Sequence, residues 1–133
     1  MDFEFSSDQM QLREAVLDLC NRFDGQYWLQ KDREGGFPED FYRAIADAGW
    51  LGIAMPEEYG GAGLGITEAA LMLQAVAESG GGMSATSSVH MNIFGLNPVV
   101  VFGSEEQKKR ALPPLIRGEG KACFSRLDGY RAM

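Results

Sequence analysis

The only histidine of this 133-residue chain, His90, follows Ser84, Ser87 and Ser88 and stands midway between Thr86 and Phe94. A serine hydroxyl beside an imidazole is the raw material of a hydrolytic nucleophile and base. That chemistry requires the serine on a sharp strand-to-helix turn and a third group that orients the ring. No such elbow surrounds these serines, and pairs three residues apart on a helix arise often by chance. If the segment is helical, Thr86, His90 and Phe94 are spaced four apart and share one face, with Ser87 beside them. That face is a candidate wall for a pocket, although a lone histidine equally serves to bond a neighbouring carbonyl. No residue is singled out as catalytic.

Other chemistries find less support. Gly61-Ala62-Gly63-Leu64-Gly65 invites comparison with a dinucleotide loop, but its third glycine arrives one residue early and Ile66 occupies the required place. The preceding Ile53-Ala54-Met55 is cut off by Pro56, and no lysine follows the glycines as a phosphate-binding loop demands. The loop is therefore expected to be a structural turn. Cys20 and Cys123 are the only cysteines, and neither has a ligand at metal-binding spacing, so neither a metal site nor a disulfide framework is expected. Met55, Met72, Met83 and Met91 read as gap-filling apolar side chains.

The formal net charge is -7, and no basic stripe offsets it, which argues against nucleic acid as a partner. The one cationic cluster, Lys108-Lys109-Arg110, follows Glu105-Glu106, an order that matches acids and bases to the two ends of a helix dipole. The amino terminus is acidic where a secretory signal is basic, and no apolar run approaches the length of a membrane span. A cytoplasmic, reduced protein is the expectation.

These residues must be positioned by helices. Ser6 with Gln9 forms a capping box, and Leu12, Val16, Leu19, Cys20 and Phe23 recur at helical spacing up to Asp24-Gly25. After a polar stretch, Pro38 suits a first helical position, and Phe41 and Ile45 continue one stripe to Gly49, a left-handed cap. Trp50 to Met55 reads as a buried, extended passage. Thr67 is the expected N-cap of a third helix, apolar on nearly every side and therefore enclosed by others. A fourth runs from Met83 to Phe94. Pro98 opens a short apolar piece that Gly103 closes, and Ser104 with Gln107 caps a fifth helix perturbed by Pro113-Pro114. Lys121-Ala122-Cys123-Phe124 resembles the start of a strand with no partner. The fold class is thus all-α, with about five or six helices. Leu12, Val16, Leu19, Phe41, Ile45, Leu73 and Val76 are expected in the core.

Phe37-Pro38, Gly49-Trp50-Leu51-Gly52-Ile53 and Pro56-Glu57-Glu58-Tyr59-Gly60-Gly61 follow one another in an order that resembles the N-terminal helical domain of the acyl-CoA dehydrogenases. Asn97-Pro98, Gly103-Ser104-Glu105-Glu106-Gln107-Lys108, Leu112-Pro113 and Gly118-Glu119 continue the resemblance, which runs from about Phe5 to Phe124. It implies a domain over residues 1–124 and a divergent tail over 125–133. Family members oxidise the bond between the second and third carbons of an acyl-CoA thioester, with a glutamate base and FAD, and are usually homo-oligomers. The base and most FAD contacts lie in a middle β-domain and a carboxy-terminal bundle, so FAD is implied for the complete enzyme and none is expected on this chain alone.

The resemblance also assigns Thr86, Ser87, His90 and Phe94 to one wall of the acyl pocket. His90 falls at its floor, where a buried imidazole favours a short or polar acyl group. After Phe124 the family continues with an apolar pair, Thr-Glu-Pro and a Gly-Ser turn, whereas this chain reads Ser125-Arg126-Leu127-Asp128-Gly129-Tyr130-Arg131-Ala132-Met133. Leu127 stands where a flavin-bonding side chain is expected. A truncation, a frame change or a separate short protein would each give this pattern. Two expectations follow: a pocket-wall domain inactive by itself, or a noncatalytic helical module that covers its apolar faces by self-association or with a partner.

Overall fold

Local capping chemistry places most of the helices. The computed structural model describes residues 4–123. Ser6 Oγ accepts from the Gln9 N–H at 3.2 Å while Gln9 Oε1 accepts from the Ser6 N–H at 3.0 Å, which starts α1, Ser7–Cys20. Asp24 Oδ1 accepts from the N–H groups of Gln26 and Tyr27, both at 3.0 Å, and opens α2, Gly25–Glu34. The first helix therefore ends at Cys20, short of Asp24-Gly25, and the polar stretch that follows is itself helical. An aspartate at an N-cap gives two orphan N–H groups their acceptor, so it begins a helix more readily than it ends one.

Helix α3, Glu39–Asp47, follows Pro38, which is its cap and not its first turn. Gly49, at φ 81°, supplies the left-handed exit. Trp50–Gly52 and Glu57–Tyr59 form short 3₁₀ turns. The passage from Trp50 to Met55 is buried, as its composition requires, but it is wound and not extended: Ile53 N–H bonds the Trp50 carbonyl and Met55 N–H the Gly52 carbonyl. Short apolar runs carry no period that separates the two conformations.

Helix α4, Ile66–Glu78, starts from Gly65 and not from Thr67, because Glu68 reaches back to accept the Gly65 N–H at 3.0 Å. The side chain at the third helical position accepts the N–H of the cap residue itself, and Gly65 brings no side chain to accept an N–H of the first turn. Helix α4 packs on α1 and on α5, Gly82–Phe94, burying Ala69, Leu71, Met72, Ala75 and Val76. Ala70 and Ala77 remain exposed, so the absence of charge did not mean enclosure on every side. Helices α6, Asn97–Phe102, and α7, Glu105–Ile116, complete the described elements, α7 opening with the Ser104–Gln107 capping box and running through Pro113 and Pro114. The prolines withhold N–H groups from the Lys109 and Arg110 carbonyls, and both of those residues are exposed to water.

The described residues are all-α, with seven α-helices, two 3₁₀ turns and no strand. Lys121–Cys123 has no regular structure, contrary to the strand reading, while Phe124, Leu127 and the rest of the tail lie outside the described residues. Val16, Leu19, Phe41, Ile45 and Val76 are buried in the main core, and Leu12 and Leu73 pack half-buried against it. A second cluster joins Met55, Tyr59, Leu112, Leu115 and Ile116.

Candidate functional site

The glycine loop builds one bank of a cleft. Ala62 N–H bonds the Gly52 carbonyl at 2.9 Å, Gly63 N–H the Met55 carbonyl at 2.8 Å and Leu64 N–H the Ile53 carbonyl at 3.0 Å. Four consecutive N–H groups are spent inside the loop, since Gly61 N–H bonds the Pro56 carbonyl at 3.1 Å. A side chain at Gly61 has no room, because a Cβ there would stand 2.1 Å from the Met55 carbonyl oxygen. The loop is thus a structural turn, as its spacing indicated. A pyrophosphate cradle requires N–H groups free to face the ligand, so this loop does not fit one.

Folding the loop back carries Leu64 and Ile66 alongside Ala54 and Met55. The opposite bank comes from the end of α5, with Ile93 and Phe94, and from Asn97, Pro98 and Val100 of α6. The cleft between them holds about 570 Å³, and the side chains that line it are apolar except for Asn97. Its size and lining suit an apolar chain or an apolar side chain from another protein surface.

Of the four residues expected on one pocket wall, only Phe94 lines this cleft. Thr86 is half-buried and donates its hydroxyl to the Gly82 carbonyl at 3.0 Å, and Ser87 is exposed. Ser88 donates to the Ala85 carbonyl at 2.7 Å. His90 is half-buried, and its Nδ1 is enclosed without a hydrogen-bond partner among the described residues. Neither a serine–imidazole pair nor a carbonyl bond at Nδ1 is formed. Ser84 faces a second cleft of about 480 Å³ together with Trp28, Gly80 and Gly81.

The polar centre of the fold is one that sequence reasoning missed. Asn92, only 2% exposed, donates from Nδ2 to the Tyr42 hydroxyl at 2.6 Å and to the Gly120 carbonyl at 2.9 Å, while its Oδ1 accepts the Ala122 N–H at 3.0 Å. The signal was a lone amide within the apolar run from Val89 to Phe94. Cys20 is buried, which pushes its thiol pKa up, and Cys123 is exposed. Among the described residues no cluster of three or more metal-binding side chains converges, and no helix is long and apolar enough to cross a membrane.

A family model described as the acyl-CoA dehydrogenase N-terminal domain matches residues 6–119. The chain is 33% identical over 126 residues to the probable acyl-CoA dehydrogenase YngJ of Bacillus subtilis, covering 93% of this chain and 32% of the relative. It is 33% identical over 116 residues to mitochondrial isovaleryl-CoA dehydrogenase of Pongo abelii, covering 86% of this chain and 27% of the relative. Among solved structures, a chain from work on the electron transferring flavoprotein of Acidaminococcus fermentans and flavin-based electron bifurcation superposes with a TM-score of 0.81. That match has 26% identity and covers 91% of this chain and 32% of the other. The prolyl acyl carrier protein oxidase AnaB superposes with a TM-score of 0.67 at 29% identity, over 89% of this chain and 32% of the other. The chain thus spans about a third of the length of the relatives it matches.

Proposed function

Because the chain belongs to the acyl-CoA dehydrogenase family, whose N-terminal domain it carries, we propose that it supplies one wall of the acyl pocket in a flavin-dependent dehydrogenase of acyl-CoA thioesters. The observation that supports this reading best is the apolar cleft between the glycine loop and the end of α5, walled by Met55, Leu64, Ile93 and Phe94. In this reading Phe94 meets the acyl chain directly. Thr86, Ser87 and His90 do not line the cleft of this chain, and in this reading they meet the acyl group only where other parts of the complete enzyme extend the pocket, with His90 at its floor disfavouring long alkyl groups. A polar group desolvated by a long alkyl chain and left without a partner costs about 1–3 kcal/mol, so a short or polar acyl group is favoured over a long one at such a floor.

The glutamate base and the FAD contacts then come from other parts of the complete enzyme, and FAD supplies the hydride acceptor there. The residues described here bind and orient the acyl group and exclude water from it. A cytoplasmic, reduced setting suits the two free thiols. The test is the acyl-length profile of a complete enzyme carrying these residues. His90→Ala should move the preference toward longer chains, and an unchanged profile removes His90 from the pocket. The chain alone, mixed with FAD and freed of excess, should remain colourless; retained flavin would mean that the site is nearer completion here than proposed.

A second reading is favoured by a different observation. Phe102 is 86% exposed, Met83 74% and Ile66 67%. Each large apolar side chain left in water forgoes about 1.5–3 kcal/mol, so these surfaces suit contact with further domains of the enzyme or with a second copy of the chain. That interaction can exist without catalysis.

A further inference from the structure

After α7 the chain must turn back across α3 and α5 before it continues, and the route is tightly held. Gly118 is buried at φ 69°, and a Cβ there would stand 2.7 Å from Ala46 Cβ on α3. At the other end of the segment, a Cβ on Gly95 would stand 2.9 Å from Ala122 Cβ, so the bare glycine lets Ala122 lie against the end of α5. Between them, the Gly120 carbonyl accepts from both the Tyr42 hydroxyl and Asn92 Nδ2, at 2.9 Å each. Lys121 Nζ pairs with Glu39 Oε1 at 2.9 Å and lies 3.4 Å from the centre of the Phe37 ring.

These contacts are unequal. The Lys121–Glu39 pair is exposed, and pairs in water contribute little. Asn92 is enclosed, uses both amide hydrogens and its oxygen, and joins three elements at once: α5, α3 through Tyr42, and the departing segment. Ala122 in turn packs against the cluster of Met55 and Val100, which also line the apolar cleft.

We propose that Asn92 is a positioning residue that fixes the point at which the polypeptide leaves the helical domain, registering that point against the cleft-bearing end of α5. The inference stands whether or not the cleft takes an acyl group.

Amide hydrogen exchange on the full chain tests it. Asn92→Leu, of similar volume but without the bonds, should accelerate exchange of the Ala122 N–H by roughly tenfold or more, while amides in α1 and α4 keep their relative protection. Tyr42→Phe leaves the Ala122–Asn92 bond in place and should change Ala122 far less. A uniform acceleration across all helices, or no change at Ala122, overturns the proposal, since the first is a stability effect and the second leaves nothing held. If Asn92→Leu does not fold, the unaltered chain still decides the matter. A through-hydrogen-bond coupling should connect the Ala122 nitrogen to the Asn92 side-chain carbonyl carbon, and its absence would show that the latch does not exist.

Discussion

Gln9 Nε2 donates to Glu68 Oε1 at 2.8 Å, across 59 positions of sequence. Each residue occupies the third helical position of its own helix. Gln9 spends its oxygen on the Ser6 N–H, and Glu68 spends its second oxygen on the Gly65 N–H at 3.0 Å. Two local caps are thereby wired into one tertiary contact that sets α1 against α4. Arg13 and Glu78 add an ion pair between the same two helices.

Acid should loosen this pair of helices. The Gln9 hydrogen bond holds the Glu68 carboxyl below its usual range, and Gln74, with Arg13, does so for Glu78. A carboxyl whose folded pKa is depressed contributes stability above its unfolded value near 4.5 and loses it as the pH falls through the folded value. Urea midpoints followed from neutral pH downward should fall below about pH 4.5, and Gln9→Ala with Arg13→Ala should flatten that fall.

At the alkaline end the sign reverses. Tyr59 donates its hydroxyl to Glu105 Oε2 at 2.8 Å, and burial of the phenol together with that carboxylate pushes its pKa up to about 12. The protonated phenol is the favoured form, so its contribution is complete below the usual value of 10 and is lost as the pH rises through about 12. Spectrophotometric titration should show tyrosine absorbance that rises late, and Tyr59→Phe should remove part of it, with Tyr42, whose burial also pushes its phenol up, contributing to what remains.

The glycine loop should tolerate substitution at one position and not at another. Gly61→Ala drives a Cβ into the Met55 carbonyl, at a cost of roughly 3 kcal/mol in denaturant unfolding. Gly60 has a left-handed φ of 93° but open space around it, so Gly60→Ala should cost only about 1 kcal/mol of strain. Equal costs at the two sites would mean that the loop does not sit against Met55 as described.

Removing exposed apolar surface should alter association and not folding. Phe102→Ser, at a residue 86% exposed, should shift the unfolding free energy by no more than about 0.5 kcal/mol. Sedimentation over a range of concentrations should show weaker self-association than the unaltered chain; identical behaviour would leave this surface to other partners or other domains.

The elements legible in the sequence are those that short-range chemistry decides. Ser6 with Gln9 and Ser104 with Gln107 act within one turn, and the stripe of Val16, Leu19 and Cys20 reports burial through spacing alone. Thr67 misled because a threonine cap and a back-reaching glutamate specify different starts for the same helix: Glu68 accepts the Gly65 N–H, which begins α4 at Ile66, and it also gains a partner from α1 that no local window contains. Trp50 to Met55 was legible as buried and not as wound, for want of any period to read.

Composition, caps and ordered motifs were enough to determine an all-α fold and its family, because those signals are local or additive along the chain. Only the folded arrangement decided that Phe94 reaches the cleft while Thr86, Ser87 and His90 do not line it, and that Asn92 ties Tyr42 to Gly120 and Ala122. The physical reason is distance along the chain. A cleft or a buried amide's partners exist only where segments tens of residues apart are brought within about 3–4 Å, and no spacing within a single helix specifies which segments those are.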